Sequence, residues 1–325
     1  MKLQIEEKTI SIALCTYEGA FFLEQQLDSL KKQSISFLEL VICDDASTDA
    51  TASIIKAFSK MAPFPVRIYR NEKQIGAVQN FSRAISLCQG KYIALCDQDD
   101  IWFPDKLAIT FQAMKEAEEK FGSQFPLLVH SDLTVIDTAG KVIVPSFMKL
   151  RRIRHFDEEN LKWLLAQNFV TGNTVLMNRP LVEVALPIPA GAMMHDWWLA
   201  LVAAAVGKIV YIDRPMVLYR QHASNMIGAG GFFTLENAGR ILDINARERE
   251  LAASIGQVMA LADHLVKING HKIPDWLNGF LSGVTQEGLK AFQAPGRYGV
   301  GKQGLIRNII YRLLLLKGGF LKYLQ

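Results

Sequence analysis

The stretch KYIALCDQDDIWFPDKL, Lys91–Leu107, decides how this chain folds and where its chemistry lies. Its first part, from Tyr92 to Leu95, is apolar and rich in strand-forming side chains, which predicts a buried strand. Three carboxylates follow almost at once, on Asp97, Asp99 and Asp100. Crowded carboxylates repel one another, and burying them without a counter-charge is costly. We therefore expect a positive charge at the end of this strand.

The residues before that strand alternate between strand-like and helix-like patterns. The predicted strands are TISIALCTY (9–17), FLELVICDD (37–45), FPVRIYRN (64–71) and KYIALCD (91–97). The predicted helices are GAFFLEQQLDSLKKQ (19–33), STDATASIIKAFSKM (47–61) and GAVQNFSRAISLCQG (76–90). Ser47 or Thr48 is the expected N-cap of the second helix. This alternation predicts an α/β fold with a doubly wound, mostly parallel sheet flanked by helices.

Polar residues follow every one of the four predicted strands. In a doubly wound sheet, ligands bind beyond the carboxyl ends of the strands, so these residues are expected to meet at one site. They are Thr16, Tyr17, Glu18, Asp44, Asp45, Asn71 and Asp97–Asp100. The chain has neither the G-x-G-x-x-G fingerprint after its first strand nor a P-loop. A nucleotide bound here would need side-chain contacts and a metal, and carboxylate ligands favour Mg²⁺ or Mn²⁺.

Composition points to a globular protein of the cytoplasm. The chain has 325 residues, of which 50% are hydrophobic and 21% are charged. Its net charge of +4 is too small to indicate nucleic-acid binding. The four cysteines lack the spacing of a zinc site or a disulfide scaffold, so we expect them to be buried and reduced. We expect neither a signal peptide nor a membrane-spanning segment.

Three segments carry a resemblance to a known family. ISIALCTYEGAFFLEQQLDSL, VICDDASTDAT and the run from Asn71 to Leu107 resemble the nucleotide-binding half of family 2 glycosyltransferases of the GT-A fold. NFVTGNTVLMNRPLVEVALPIP and HDWWLALVAAAVGKIVYIDRPMVLYRQHASNMIG resemble the rhamnosyltransferase-like branch of that family. The resemblance implies a catalytic domain over 1–228, with a nucleotide-binding half to about 105 and an acceptor half over 106–228. A mostly helical region over 229–325 follows.

The resemblance also implies roles for particular residues. Thr16, Tyr17 and Glu18 would line the base and ribose pocket, together with Asn71 and Gly76. Asp45 would accept a hydrogen bond from the pyrimidine ring, with Asp44 supporting its loop. Asp97, Gln98 and Asp99 correspond to the family's D-x-D, in which Asp99 would bind the metal and Asp97 would contact ribose, the metal or a metal-bound water. Arg220 and His222 would face the diphosphate, and Asp196 would be the catalytic base.

These roles predict an inverting, metal-dependent glycosyltransferase. A divalent cation stabilises the leaving diphosphate, and a single carboxylate removes the proton of the acceptor hydroxyl. By resemblance, the favoured donor is dTDP-L-rhamnose and the favoured acceptor is a cell-surface polysaccharide or a lipid-linked saccharide. A UDP-hexose donor, a sugar nucleotidyltransferase and a degenerate glycan-binding scaffold remain as alternatives. The donor, the linkage and the oligomeric state, including a homo-oligomer, are left open by the sequence.

Several of these residues also have purely structural interpretations. The acidic cluster could be a solvated turn with Asp100 capping the next helix, and Asp196 could be a helix N-cap. Trp197 and Trp198 are expected in the core or in a pocket wall. His130 and His195 lack a metal-binding partner at suitable spacing and are expected to be structural.

Two basic segments are candidates for contact with a membrane surface. KLRRIRH, Lys149–His155, is either a solvated face or a contact for an anionic acceptor or membrane. On a helical wheel of the last segment, Leu305, Ile306, Ile309, Ile310, Leu313 and Leu316 share one side. This pattern predicts an amphipathic helix on the cytoplasmic face of the inner membrane, making the protein peripheral. The alternative is a helix packed on protein.

Overall fold

A computed structural model describes residues 9–155, 160–222, 243–269 and 273–324 of the chain. The chain divides into two compact units. The first comprises Met1–Arg151, Val170–Ala190 and Met194–Arg220, and the second comprises Arg152–Phe169, Gly191–Met193 and Gln221–Gln325. The second unit therefore takes two segments from within the predicted catalytic domain. The part of the predicted helical region over 229–242 lies outside the described residues.

The first unit begins with the predicted alternation of strands and helices. Its elements are β1 (Ile10–Thr16), α1 (Leu23–Lys31), β2 (Glu39–Asp44), α2 (Thr51–Met61), β3 (Val66–Arg70), α3 (Ala77–Leu87) and β4 (Tyr92–Cys96). All four strands are parallel, in the order β3-β2-β1-β4. The register places Thr16 beside Asp44, and Asp44 beside Arg70. The carboxyl ends of these strands therefore lie at one edge of the sheet.

The remaining strands extend this sheet with mixed directions. The elements are β5 (Ile101–Trp102), α4 (Lys106–Phe121), β6 (Leu127–Ile136), β7 (Val142–Val144), α5 (Phe147–Arg151), α6 (Asn160–Leu164), β8 (Leu176–Asn178), α7 (Arg179–Ala185), α8 (His195–Val206) and β9 (Lys208–Arg220). The order continues from β4 through β8, β6 and β9 to β5. β9 is parallel to β6 and antiparallel to β5, which brings its end towards the turn after β4. The predicted fold class is confirmed.

Burial explains why the central strands are continuous apolar runs. Every residue of β1, β2 and β4 is buried, as expected for strands covered by helices on both faces. The edge strand β3 is only partly buried. Each fully buried leucine or isoleucine contributes about 1.5–3 kcal/mol of transfer free energy. All four cysteines are buried and unpaired, as predicted.

The second unit is mostly helical, which confirms that prediction for the described residues. Besides α6 it contains α9 (Ile244–Asn269), α10 (Asp275–Val284), α11 (Leu289–Tyr298) and α12 (Leu305–Lys317). Glu248 of α9 is 1% exposed and forms ion pairs with Lys317 at 2.8 Å and Lys322 at 3.3 Å. Within the described ranges, one segment, Ile244–Ile268, has the length and composition of a membrane span. Half of its apolar window is buried, and a soluble core helix meets the same criterion.

Three predicted helix caps are wrong. The helix α2 begins at Thr51, because the Ser47 hydroxyl donates to Asp44 and the Thr48 hydroxyl donates to Glu18. Asp100 caps nothing, since the next helix begins at Lys106. Asp196 lies in the first turn of α8 and not at its N-cap position, which Met194 occupies. In the two acidic cases the carboxylate is engaged in the site described next.

Candidate active site

At the end of β2, the carboxylate of Asp44 is held by hydrogen bonds from neighbouring protein groups. The carboxylate of Asp44 accepts hydrogen bonds from the Thr16 hydroxyl at 2.9 Å, the Ser47 hydroxyl at 2.5 Å and the Ser47 backbone N–H at 3.1 Å. The Arg70 Nε lies 3.6 Å from the same carboxylate. Asp44 is 2% exposed. Its contacts hold the loop after β2 against the end of β1.

Asp45 organises the loop that precedes α3. Its Oδ1 accepts from the Asn71 side chain at 2.6 Å and from the Ile75 backbone N–H at 2.9 Å. Its Oδ2 accepts from the Gly76 backbone N–H at 2.8 Å. Gly76 has φ 84°, a conformation that suits glycine. The structure therefore brings together Asp45, Asn71 and Gly76, and the carboxylate keeps acceptor capacity on Oδ2.

Gln98 binds the loop after β1 through both ends of its amide. Its Oε1 accepts from the Tyr17 backbone N–H at 2.8 Å, and its Nε2 donates to the Tyr17 carbonyl at 2.9 Å. A side chain on Gly19 would collide with the Gln98 amide, so the glycine makes room for this pair. The Tyr17 side chain is 44% exposed. Glu18, with φ 48°, accepts from the Thr48 backbone N–H at 2.7 Å.

The end of β4 carries a cluster of negative charge. Burial and the charges of Asp99 and Asp196 raise the pKa of Asp97 to about 8. No described residue donates a hydrogen bond to the Asp97 carboxylate. Burial also raises the pKa of Tyr219. The negative charges of Asp100, Asp99, Asp97 and Asp196 raise it further. All four acids therefore share one region, and the charge of Lys106 offsets only part of the effect on Asp97.

Asp100 differs from its neighbours in the cluster, because its carboxylate is fully buried. Its Oδ1 accepts from the Arg220 backbone N–H at 3.1 Å, and its Oδ2 accepts from the Asn173 side chain. Burial and the charges of Asp99 and Asp97 raise its pKa. Asp100 is thus joined to β9 and to the turn Gly172–Thr174, and the interpretation of the cluster as a solvated turn is wrong.

Lys106 supplies a positive charge that the sequence analysis missed. It is 1% exposed, and its Nζ lies 3.2 Å from the centre of the Trp102 ring. Burial lowers the pKa of Lys106 to about 7, while Cys96, Asp100 and Asp97 act in the opposite direction. A lysine in the first turn of a helix usually extends into solvent. The signal for its burial was the positive charge expected near the acidic cluster, with Lys106 six residues after Asp100 in the same stretch.

Asp196 is held in the first turn of α8. Its Oδ2 accepts from the Gly172 backbone N–H at 2.9 Å, and its Oδ1 accepts from the Trp197 backbone N–H at 2.6 Å. These donors and the helix N-terminus stabilise the ionised carboxylate. The sequence analysis did not identify Gly172. The Asp196 side chain is 8% exposed, and its charge acts on Asp97, so it belongs to the cluster.

The aromatic and histidine neighbours of Asp196 are buried. Trp197 is 9% exposed, and Trp198 is fully buried and donates from Nε1 to the Ala185 carbonyl at 2.9 Å. The His195 ring stacks on Phe81 with centroids 3.8 Å apart. Burial lowers the pKa of His195 to about 3, so it is neutral at physiological pH. His130 is also fully buried, so the expected structural roles agree with these positions.

Arg220 does not point into open space at the cluster. It is 1% exposed and donates to the backbone carbonyls of Asp99 at 3.1 Å, Asp137 at 3.3 Å and Thr138 at 2.9 Å. It also donates to Gln25 Oε1 at 2.6 Å. Protein acceptors thus hold the guanidinium, and its contact with a diphosphate stays a prediction. His222, the other predicted diphosphate contact, belongs to the second unit.

The acidic cluster fits a divalent cation that is completed by a substrate. Within the described ranges, no three His, Cys, Asp or Glu side chains form a group that would hold a metal without help. Mg²⁺ and Mn²⁺ commonly use one or two protein carboxylates, with phosphate oxygens and waters as the other ligands. Asp97 and Asp99 offer such oxygens, and burial together with the charges of Asp99 and Asp196 raises the pKa of Asp97, an effect that a bound cation would oppose. The donor set therefore suits the predicted cation.

Comparisons with known proteins agree with this geometry. The family model for "Glycosyl transferase family 2" matches residues 11–184. The chain is 28% identical to the dTDP-rhamnosyl transferase RfbG of Shigella flexneri over 66% of this chain and 74% of the relative. Among solved structures, residues 1–349 of S. aureus TarS in complex with UDP-GlcNAc match with a TM-score of 0.53 and 16% identity, covering 89% of this chain and 80% of the solved TarS chain.

A second solved structure is similar over almost the whole chain. The mannosyltransferase PcManGT of Pyrobaculum calidifontis, in complex with GDP-Man and Mn²⁺, matches with a TM-score of 0.54 and 15% identity. The match covers 98% of this chain and 86% of PcManGT. At such identity the likeness shows the fold, while the family model covers more than half of the chain. This protein is a member of glycosyltransferase family 2 and has the GT-A fold.

Proposed function

We propose that the protein transfers a sugar from a nucleoside diphosphate donor to an acceptor hydroxyl, with inversion at the anomeric carbon. The observation that carries the proposal is the gathering of Asp97, Asp99 and Asp196 in one charged region at the end of β4. The loop closed by Asp45 lies at the end of β2, on the same edge of the parallel sheet. In this proposal, one edge of the sheet would carry the base pocket, the diphosphate site and the general base.

The donor would lie along the ends of the parallel strands. Tyr17 and Glu18 would line the base and ribose pocket with Thr16, Asp44 and Asn71 behind them, and Asp45 Oδ2 would accept from the pyrimidine ring. Asp97 and Asp99 would hold Mn²⁺ or Mg²⁺. When bound, the cation supplies charge neutralisation for the diphosphate leaving group. Gln98 keeps Tyr17 in place through its backbone.

Asp196 would act as the general base. The acceptor oxygen forms a bond to the anomeric carbon while the bond from that carbon to the diphosphate oxygen breaks. Asp196 takes the hydroxyl proton, and the nucleoside diphosphate leaves with the bonding electrons. The two backbone N–H groups that donate to Asp196 would hold its carboxylate in place for this step. With one base and no protein nucleophile, a single displacement inverts the configuration.

The favoured donor is dTDP-L-rhamnose, and the favoured acceptor is a cell-surface polysaccharide or a lipid-linked saccharide. The relationship to a dTDP-rhamnosyl transferase over two-thirds of this chain supports the donor. A UDP-hexose is the second candidate, because a protein of the same fold is known with UDP-GlcNAc. A lipid-linked acceptor would bring this enzyme to the cytoplasmic face of the membrane as a peripheral protein.

The outer face of α12 supports that membrane contact. Its apolar residues Leu305, Ile306, Ile309 and Leu313 are between 47% and 77% exposed, whereas Tyr311 and Leu315 on the opposite face are buried. The wheel face predicted from sequence is therefore the uncovered one. From residue 288 to the end of the chain there is no acidic residue, and the basic residues are Lys290, Arg297, Lys302, Arg307, Arg312, Lys317 and Lys322. Such a surface suits an anionic bilayer.

Thermal unfolding with UDP, dTDP, GDP and CDP, each with and without Mn²⁺, tests the enzymatic proposal. A specific nucleotide at 100 times its dissociation constant adds about 2.7 kcal/mol to the free energy of unfolding. We expect one pyrimidine diphosphate to stabilise the protein, and only when Mn²⁺ is present. A protein that responds to none of the four would be a degenerate glycan-binding scaffold instead.

Co-sedimentation with liposomes tests the membrane contact. The triple variant Leu305→Gln, Ile306→Gln, Leu313→Gln should lose binding to anionic vesicles, while the wild type stays bound. Met61→Gln is the matched control, because Met61 is 75% exposed on α2 of the first unit. The alternative outcome is that the wild type does not bind the vesicles but forms a dimer, and that the triple variant is monomeric. The exposed face of α12 would then be a homo-oligomer interface.

A further inference from the structure

The buried arginine at the end of β9 connects four segments of the first unit. Its Nε donates to the Asp99 carbonyl, its Nη1 donates to the carbonyls of Asp137 and Thr138, and its Nη2 donates to Gln25 of α1. The guanidinium carbon also lies 4.6 Å from the centre of the Phe22 ring. The planar group is therefore fixed at its edges by acceptors and on one face by an aromatic ring.

Asp100 extends this connection to the turn Gly172–Thr174. One carboxylate oxygen accepts from the Arg220 backbone N–H, and the other accepts from the Asn173 side chain. Asp100 is fully buried, and Asn173 is too. The turn 97–100 is therefore held from two sides: by its own Asp100 side chain and through the carbonyl of Asp99. Both bonds involve residues of the turn that carries Asp97 and Asp99.

We infer that Arg220, together with Asp100 and Asn173, positions the carboxylates of Asp97 and Asp99 for the divalent cation. This set of three residues is called the turn lock below. The inference rests on the proposed function, because the cation is part of it. Arg220 is a positioning residue here and not a diphosphate ligand. The guanidinium already donates to four protein acceptors at 2.6–3.3 Å, as a group that fixes the turn would.

A positioning role and a charge-neutralising role of Arg220 predict different Mn²⁺ affinities for the variant Arg220→Lys. Lysine keeps the positive charge, but its ammonium is a single point and cannot bridge acceptors that lie in several directions. If Arg220 positions the turn, this variant should lose affinity for Mn²⁺. If Arg220 neutralised the diphosphate, lysine would preserve much of that effect, and the affinity of the turn for Mn²⁺ would be unchanged.

The experiment measures Mn²⁺ binding directly, by the electron paramagnetic resonance signal of free Mn²⁺, with saturating UDP or dTDP. We expect Arg220→Lys to raise the Mn²⁺ dissociation constant at least tenfold. In turnover assays the apparent KM for Mn²⁺ should rise, while kcat at saturating Mn²⁺ stays within a few-fold of wild type. Arg214→Lys is the matched control, since Arg214 is also on β9 but is 56% exposed and pairs with Asp105.

A second variant keeps the inference testable if Arg220→Lys does not fold. Gln25 is an exposed residue of α1, so Gln25→Ala should fold and remove one acceptor of the guanidinium. It should raise the Mn²⁺ dissociation constant about threefold. Unchanged Mn²⁺ affinity in Gln25→Ala, or in a folded Arg220→Lys with reduced kcat, would overturn the turn lock alone. A wild type that binds neither Mn²⁺ nor nucleotide would instead overturn the proposed function, and the inference with it.

Discussion

The ends of β2 and β4 both carry adjacent aspartates, but they are completed in different ways. At the end of β2, the carboxylates of Asp44 and Asp45 accept hydrogen bonds from neighbouring hydroxyl, amide and backbone groups. At the end of β4, Asp97 has no such donor among the described residues, and its pKa is raised to about 8. The carboxylates of the first strand end are held by protein donors, whereas those of the second are the proposed ligands of a cation.

The difference shows that the role of an acidic residue at a strand end depends on which protein groups donate hydrogen bonds to its carboxylate. The loop before α3 turns two backbone N–H groups towards Asp45. At β4, the Arg220 backbone N–H and the Asn173 side chain donate to Asp100, whose carboxylate is fully buried. We propose that Asp97 and Asp99 face the cation. Four predictions test this contrast, from the largest expected effect to the smallest.

Asp196→Asn should have the largest effect, because it removes the proposed base and leaves the rest of the acidic region in place. We expect kcat to fall by about 10²–10⁴-fold, with donor affinity within a few-fold of wild type. Steady-state kinetics and a nucleotide binding titration measure the two quantities. Asp213→Asn, on an exposed part of β9, is the control. Near-normal turnover in Asp196→Asn would place the base elsewhere.

Asparagine substitutions at the two strand ends should change stability in opposite directions. Asp45→Asn turns an amide towards backbone donors and should lower the free energy of unfolding by about 1–3 kcal/mol. Asp97→Asn removes a charge that burial, Asp99 and Asp196 disfavour, and should leave the metal-free protein as stable as wild type, or more so, at pH 8. Urea unfolding in EDTA measures both variants. Equal destabilisation by the two substitutions would abolish the contrast.

The raised pKa of Asp97 predicts how stability depends on pH. The folded carboxyl keeps its proton up to about pH 8, whereas the unfolded chain loses it near its ordinary pKa of about 4. Folding therefore binds a proton in this window, and this residue makes the metal-free protein less stable as the pH rises from about 4 to about 8. Melting temperatures in EDTA should fall more steeply with pH for wild type than for Asp97→Asn. Parallel curves would contradict the prediction.

The smallest effect is expected where the turn after β4 meets the loop after β1. Gln98→Ala removes both bonds to the Tyr17 backbone, and Gly19→Ala pushes the same amide away from its place. Each variant should raise the KM for the donor about three- to tenfold, with kcat little changed, because Tyr17 loses its fixed position. Gly191→Ala is the control, since a side chain there meets no atom within 4 Å. An unchanged KM in both variants would remove Gln98 from donor binding.

Local patterns predicted most of the first four strands and three helices, because apolar runs and helical periodicity are properties of neighbouring residues. The observed strand β4, for example, is the predicted strand KYIALCD without the first and last residues of that prediction. The helix starts were less accurate, because the hydroxyl groups of Ser47 and Thr48 are used by Asp44 and Glu18. Competition from tertiary contacts thus displaced an ordinary capping preference.

The sequence by itself determined the alternating sheet, the gathering of polar residues at its carboxyl edge and the apolar face of α12. Only the tertiary structure decided which carboxylates are satisfied, that Lys106 is buried and that Arg220 is held by protein acceptors. The physical reason is the distance along the chain between partners. Asp100 and Asn173 are 73 residues apart, and Arg220 and Gln25 are 195 apart. A local pattern cannot report a partner that folding brings from so far away.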